Sequence, residues 1–266
     1  MLLKPTQYEL ESIIYWLRKI EVSIDLHGAY LRDVNLHGAD LSGANLSGAD
    51  LSRANLRGAK LCGADLSGAY LSYASLRGAD LSGAKLRGAD LHRAYLDYAS
   101  LRDADLRDAK LSGADLSGAY LSYASLRGAD LSGAKLCGAD LYRAYLGYAS
   151  LRDADLSGAD LRGADLYRAY LNDASLIGAS LGGANLAHAT LDDDFRIARL
   201  DFGKWSILID STHTSIGCQT HPNEFWLKLT PKKAESMASG AKEFWAQHQT
   251  AIKATIKDVM RPMGAK

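Results

Sequence analysis

Residues 39–53 read Ala39-Asp40-Leu41-Ser42-Gly43, Ala44-Asn45-Leu46-Ser47-Gly48, Ala49-Asp50-Leu51-Ser52-Arg53, one five-residue unit written three times. Outward from this stretch, every fifth residue from Leu26 to Leu191 is leucine, with no insertion and no substitution. Alanine stands two residues before each leucine, replaced only by Ile24 and Val34. A period of five matches neither the 3.6-residue turn of an α-helix nor the two-residue alternation of a continuous strand. It matches a short extended piece followed by a corner. In the extended piece alanine and leucine point to one side and the residue between them points to the other. The second of the two corner residues is most often glycine, as at Gly43 and Gly48, which suits the positive φ of a type II turn.

One unit cannot bury its own leucine, but stacked coils place leucine on leucine, each contributing roughly 1.5–3 kcal/mol when fully buried. Ordering the backbone opposes this by about 1–2 kcal/mol per residue, so the net stability is far below the gross sum. The inner pair therefore carries the fold, and the other three positions of each unit are free to vary.

The remaining composition narrows the class. Among 266 residues, Lys+Arg and Asp+Glu balance at 31 each, so no global field draws the chain toward nucleic acid or an anionic membrane. Residues 1–19 carry charges throughout and lack the apolar run of a secretion signal, and no segment approaches the roughly 20 apolar residues of a membrane span. Cys62, Cys137 and Cys218 are too few and too scattered for a disulfide framework. These features lead us to expect a soluble, cytoplasmic protein without a membrane partner.

The tandem pattern Ala-(Asp/Asn)-Leu-x-x, at Ala39-Asp40-Leu41, Ala44-Asn45-Leu46, Ala49-Asp50-Leu51 and in many later units, resembles the signature of the pentapeptide-repeat family. The resemblance implies an all-β solenoid, a right-handed quadrilateral β-helix with four pentapeptides per coil. On that geometry the repeat makes a rod roughly 40 Å long, at the spacing of neighbouring strands.

Residues 66–85 and 116–135 are the same twenty letters, LSGAYLSYASLRGADLSGAK, and weaker copies begin at Leu91, Leu141 and Leu166. A 25-residue duplication is five units, whereas four close a coil, so each copy is displaced by one face. Tyr70, Tyr95, Tyr120, Tyr145 and Tyr170 should therefore spiral around the rod rather than form one aromatic stripe, which reads as neutral duplication. From Asp25 to Asp193 there are 21 aspartates against 17 Lys+Arg, mixed on all four faces. Some members of the family protect DNA gyrase from quinolones by resembling the negative surface of duplex DNA. Duplex DNA carries about one negative charge per 1.7 Å of axis, far denser than this excess of four.

The ends differ from the repeat. Thr6 and Glu9 form a capping box, and Leu10, Ile13, Ile14 and Leu17 fall at helical spacing, so a helix within residues 1–23, with Trp16 beside its apolar face, is expected to cap the first coil. The register breaks at Asp192-Asp193-Asp194 and fades through Phe195 and Leu200, so the repeat domain is set at 24–193 and a C-terminal α+β module at 194–266. There Lys204 to Asp210 reads as a strand with Ser215 to Gln219 as its hairpin partner, and Pro222 to Leu229 as a helical turn. Thr230-Pro231 starts a helical pattern that breaks near Gly240. A final helix presents Phe244, Trp245, His248, Ile252, Ile256 and Val259. Gly217-Cys218 followed by Phe225-Trp226 resembles a tail found on some phage and prophage pentapeptide proteins.

Catalytic chemistry is not evident. His213, Cys218 and His221 lack a fourth ligand for a structural zinc. Cys62 and Cys137 occupy exposed corners, and the aspartates before leucine recur without a singled-out base or nucleophile. Phosphate loops, triads and dinucleotide fingerprints are absent, so no catalytic residue, cofactor or metal is expected. The reading is a non-enzymatic scaffold whose C-terminal module contacts a protein partner, or a second copy at a dimer seam, through Trp205, Trp226, Trp245, Phe225, His213 and His221. The alternatives are a DNA mimic acting on gyrase or another DNA-binding enzyme, and an enzyme housed in the C-terminal module. Direct nucleic-acid binding is not expected.

Overall fold

The computed structural model describes residues 24–176, 178–190, 198–202, 205–209, 213–216 and 219–259. The helix expected within 1–23, the register break at 192–194 and Cys218 lie outside those residues. The chain divides into two compact units, one of residues 1–179 and 184–190, the other of residues 180–183 and 191–266.

In the first unit the period of five becomes a coil of twenty. Parallel bridges join residues before leucine to those twenty positions on, unbroken from Asp25↔Asn45 to Asp155↔Ser175 and again at Asp165↔Asn185 and Tyr170↔Thr190, so four pentapeptides complete one turn. Every leucine from Leu31 to Leu181 and every alanine from Ala44 to Ala184 is buried, which makes the inner column continuous.

The backbone hydrogen bonds explain the letters of the repeat. In each coil the leucine N–H donates to the next coil, as Leu101 does to the Tyr120 carbonyl at 2.7 Å. The residue before leucine donates to the previous coil, as Tyr120 does to the Ala99 carbonyl at 2.9 Å. The second corner residue also donates onward, as Gly118 does to the Cys137 carbonyl at 2.9 Å, and the alanine closes the turn, as Ala119 does to the Leu116 carbonyl at 3.0 Å. One donor per unit is left over, the N–H of the first corner residue. Aspartate or asparagine before the leucine accepts it: Ser42 N–H donates to Asp40 Oδ1 at 3.1 Å, and Ser47 N–H to Asn45 Oδ1 at 3.2 Å. The Asp/Asn preference thus completes the accounting of backbone donors at the corner.

Every second corner position from Gly28 to His188 has positive φ, as a type II turn requires at its third residue. Glycine fills most of these positions, but tyrosine, arginine and aspartate also occur, Tyr98 at 58° and Asp103 at 57° among them. A left-handed conformation costs a non-glycine residue roughly 1–2 kcal/mol, so the ladder bonds and packing hold these corners against a local preference.

In the second unit four strands form an antiparallel meander: β1 (Ala198–Phe202), β2 (Trp205–Ile209), β3 (His213–Ile216) and β4 (Gln219–Pro222), in the order β1-β2-β3-β4. Ile207 pairs with Ile216, and Thr214 with His221. Residues around Leu200, expected to continue the fading repeat, instead form β1, paired Phe202↔Trp205 to Ala198↔Ile209. The alternation of Ala198, Leu200 and Phe202 suits a strand with one apolar face. Helices α1 (Asn223–Lys228), α2 (Pro231–Ala234) and α3 (Ala241–Val259) follow. Pro231 occupies the first turn of α2, where its missing N–H is not needed. Along α3, Ala241, Phe244, Trp245, Ile252 and Ile256 are buried on one stripe and pack with Ile216, Trp226, Leu229 and Ala234. Among the described residues no helix is long and apolar enough to cross a membrane.

Candidate interaction surface

The aromatic residues of the second unit divide into core and surface. Trp226 and Trp245 are 2% and 1% exposed, with ring centroids 5.7 Å apart. Trp226 Nε1–H donates to the Thr214 carbonyl at 2.6 Å, and Trp245 Nε1–H to the Leu229 carbonyl at 3.1 Å. These two tryptophans, expected at a partner surface, are therefore core residues: a small unit needs their area inside, and each finds an internal acceptor for its polar atom. His221 stacks on Phe225 with centroids 4.0 Å apart, and Phe225 is 38% exposed, so this pair does face outward. Trp205 lies on β2 and His213 on β3, and their side chains are outside the described residues.

No group of three metal-ligating side chains comes together among the described residues. Cys62 and Cys137 are free and exposed. Desolvation, and after it the charge of Asp155, push the Cys137 thiol up, and its S–H faces Asp155 Oδ2 at 3.7 Å. Cys137 is thereby held as a thiol, the less nucleophilic form.

The aspartates that precede leucine are corner brackets. A side-chain bond from Ser67 holds the Asp65 carboxyl below the usual aspartate range, and Ser157 does the same for Asp155. The side chains of Arg107 and Arg162 lower Asp105 and Asp160 in turn. A general acid or base working near neutrality needs the opposite displacement.

Outside the brackets, arginine and tyrosine make a repeating pair. Arg77 lies over the Tyr95 ring at 5.3 Å, Arg102 over Tyr120 at 5.4 Å and Arg152 over Tyr170 at 5.2 Å. Each arginine sits at the first corner position, and its tyrosine lies before a leucine eighteen residues on, diagonally across to the next coil. The 25-residue duplication carries the pair around the rod by one face per copy. Edge-on ring contacts extend it, Tyr73 with His92 at 5.8 Å and Tyr123 with Tyr142 at 5.7 Å. The tyrosine spiral was legible as a spiral, but its arginines were not. Their signal is the offset of eighteen, which has meaning only once the coil is known to be twenty residues.

Arg127 departs from the series. It lies over Tyr148 at 5.3 Å rather than over Tyr145, beside a concavity whose floor is the buried Gly147. The walls are Arg107, Arg127, Tyr145, Tyr148, Asp165 and Tyr167. Tyr148 meets Tyr167 edge-on at 5.7 Å, and Arg168 lies over Tyr167 at 5.3 Å. Arginines held by ring faces keep their N–H groups available for a planar acceptor.

A family model described as pentapeptide repeats matches in eight copies that together run from residue 23 to residue 193. No curated protein matches the chain. Among solved structures, the chain is similar to HetL, a pentapeptide repeat protein involved in heterocyst differentiation regulation in the cyanobacterium Nostoc sp. strain PCC 7120. That match has 38% identity over 64% of this chain and 90% of that one, with a TM-score of 0.29. It is also similar to QnrB1, a plasmid-mediated fluoroquinolone resistance protein, at 22% identity over 64% of this chain and 91% of that one, with a TM-score of 0.45. A pentapeptide repeat protein of the Arabidopsis thaliana thylakoid lumen shares 31% identity over 48% of this chain and 68% of its own, with a TM-score of 0.21.

Proposed function

The chain belongs to the pentapeptide-repeat family, whose members are right-handed quadrilateral β-helices, and from that premise we propose that it is a non-enzymatic scaffold that binds a protein partner through the outside of its coils. The observation that carries this reading is the outer composition. From residue 25 to residue 193 there are 13 arginines and 12 tyrosines, but only 4 lysines and no glutamate. Arginine and tyrosine are enriched where protein interfaces concentrate their binding energy, and lysine and glutamate are depleted there. Stacking arginine on tyrosine fixes both side chains before contact, which lowers the entropy lost on binding.

The buried Trp226 and Trp245 move the weight of recognition from the C-terminal module to the repeat, leaving the His221–Phe225 stack as a secondary contact. The family match ends at residue 193, so the C-terminal module enters this proposal on its own residues alone. A mimic of duplex DNA is not favoured, because the aspartates before leucine are bound into corners and arginines are interleaved among the rest. Three cysteines, two of them free and exposed, suit the reducing cytoplasm.

Affinity capture from lysate tests the reading with three full-length chains: the unaltered protein, a variant with Arg77, Arg102, Arg127 and Arg152 changed to Gln, and a variant with His221 and Phe225 changed to Ala. We expect the arginine variant to lose proteins that the tail variant keeps. Equal retention by all three would overturn the placement on the coils. Gyrase supercoiling in the presence of the protein should be unchanged, and inhibition would restore the mimic.

A further inference from the structure

Residues 66–105 and 116–155 differ only at Arg87/Cys137, His92/Tyr142 and Asp97/Gly147. The last difference removes the acid from an ion pair. In the first copy Asp97 Oδ1 accepts from Arg77 Nε at 2.8 Å, and the Asp97 side chain is only 19% exposed. In the second copy the arginine is kept as Arg127, the acid has become Gly147, and Arg127 has turned onto the Tyr148 ring. Among the described residues Arg127 makes no ion pair.

We propose that the slot over Gly147 receives a carboxylate side chain of a protein partner, in the place that the Asp97 carboxylate occupies in the first copy. This rests on the reading of the coils as an interaction surface and names the chemistry of one point on it.

The first copy shows that the surroundings accept such a group. Of the walls, Arg107, Arg127, Tyr145, Tyr148 and Asp165 correspond to Arg57, Arg77, Tyr95, Tyr98 and Asp115, whereas Tyr167 stands where the first copy has Ser117. Asp165 is the one acid in the slot, and a Cβ built on Gly147 would stand 3.9 Å from its Oδ2. Asp115 stands at the same register, eighteen residues after Asp97, and the Arg77–Asp97 pair forms. The nearest backbone atom to that Cβ, the Tyr167 carbonyl oxygen, is 3.6 Å away, an ordinary contact, so a first side-chain atom fits at this position without displacing the backbone. The guanidinium offers a planar fork that matches a carboxylate. Tyr145 and Tyr148, 54% and 38% exposed, supply apolar contact at the rim.

A run of phosphates fits less well. The arginines that continue the column already face acids: Arg107 donates to Asp105 at 2.8 Å, and Arg87 stands 3.7 Å from Asp108. A polyanion laid along the column would meet carboxylates as often as unpaired guanidinium groups. A single acidic side chain in the slot meets Arg127, while the neighbouring Arg107 is already held by Asp105.

The test follows the arginine Nε–H resonances of the full-length 15N-labelled chain at constant ionic strength. The probes are the blocked peptide acetyl-Gly-Glu-Gly-amide, its Gln counterpart, sodium acetate and inorganic phosphate. We expect the Glu peptide to move the Arg127 resonance saturably, with Arg77 unmoved and the Gln peptide without effect. Gly147→Asp should bring the Arg127 resonance to the position of Arg77 without any ligand and weaken the Glu-peptide response by about twofold to fivefold, the scale of a partly exposed ion pair. An equal response to the Glu and Gln peptides, or an unchanged response in Gly147→Asp, would overturn the proposal. Phosphate acting more strongly than the Glu peptide would replace the carboxylate with a phosphate, and acetate acting as strongly would remove the polypeptide source. Each of these can fail while affinity capture by the coils succeeds, so the slot and the scaffold reading stand or fall separately.

Discussion

Aspartate and asparagine are interchangeable before the leucine because what the corner needs there is an oxygen acceptor two residues ahead of an unpaired N–H. Asn45 and Asp40 make the same bond. They differ in titration. Asp65 and Asp155 have depressed carboxyls in the folded chain, so their contribution is complete above the ordinary aspartate value and is lost as pH falls through the lower folded values. The thermal midpoint should be flat from pH 7 to about 5 and decline below about 4. Changing Asp65 and Asp155 to Asn should keep the neutral-pH midpoint and shallow the acid decline, as read by calorimetry across pH. An acid limb of unaltered steepness would show that these brackets do not carry it. The inward residues allow a larger effect. Leu101 is fully buried, and Leu101→Ala should cost about 2–5 kcal/mol in denaturant unfolding. The leucine and alanine columns and the glycine corners could be read from the letters alone, because burial and positive φ leave a compositional mark. The partner of each Asp or Asn could not be read, since it is a backbone group that every residue carries.

A coil is the smallest element that closes, and its corners show where local preference yields to stacking. Tyr98, Asp103 and Arg143 hold positive φ that glycine would adopt more readily. The repeat pattern leads one to expect glycine there, and the exceptions are tyrosine, arginine, aspartate and histidine residues that lie on the outer surface. In the second unit Trp205–Ile209 falls within the strand expected over 204–210, but its partner is His213–Ile216 rather than 215–219, because Gln219 turns back to pair with Ile216 and opens β4. The burial of Trp226 and Trp245 was equally hidden. A tryptophan on a helix reads the same whether it faces a core or a partner, and the carbonyls that take the two N–H groups lie twelve and sixteen residues away in sequence. The polar anchor of this core is the 2.6 Å bond from Thr214 Oγ1 to Asn223 Oδ1, both residues buried. Thr214→Val keeps the shape and removes the donor, and it should lower stability by about 1–3 kcal/mol, checked by loss of tryptophan fluorescence in denaturant. A change below a few tenths of a kcal/mol would mean that the bond is not an anchor.

At the scale of the molecule, a coil of twenty residues converts a period of five into four columns, and a duplication of twenty-five walks its decoration from one column to the next. Stability in such a stack is close to a sum over neighbouring coils, so the surface can change at one coil without disturbing the others. The replacement of Asp97 by Gly147 is a change of that kind. All of the surface geometry, including the arginine–tyrosine diagonals and the slot, depends on four units per coil, which the letters alone did not specify and the family resemblance supplied. The direct measurement is the distance between spin labels at the native Cys62 and at Arg162→Cys, with Cys137 and Cys218 changed to Ser, by double electron–electron resonance. Four units per coil put these positions in one column five coils apart, about 24 Å at the spacing of neighbouring strands, whereas three units per coil would put them about 32 Å apart along the axis. A distribution centred near 24 Å is the result expected here, and one centred at about 32 Å or beyond would contradict the fold and every surface assignment built on it.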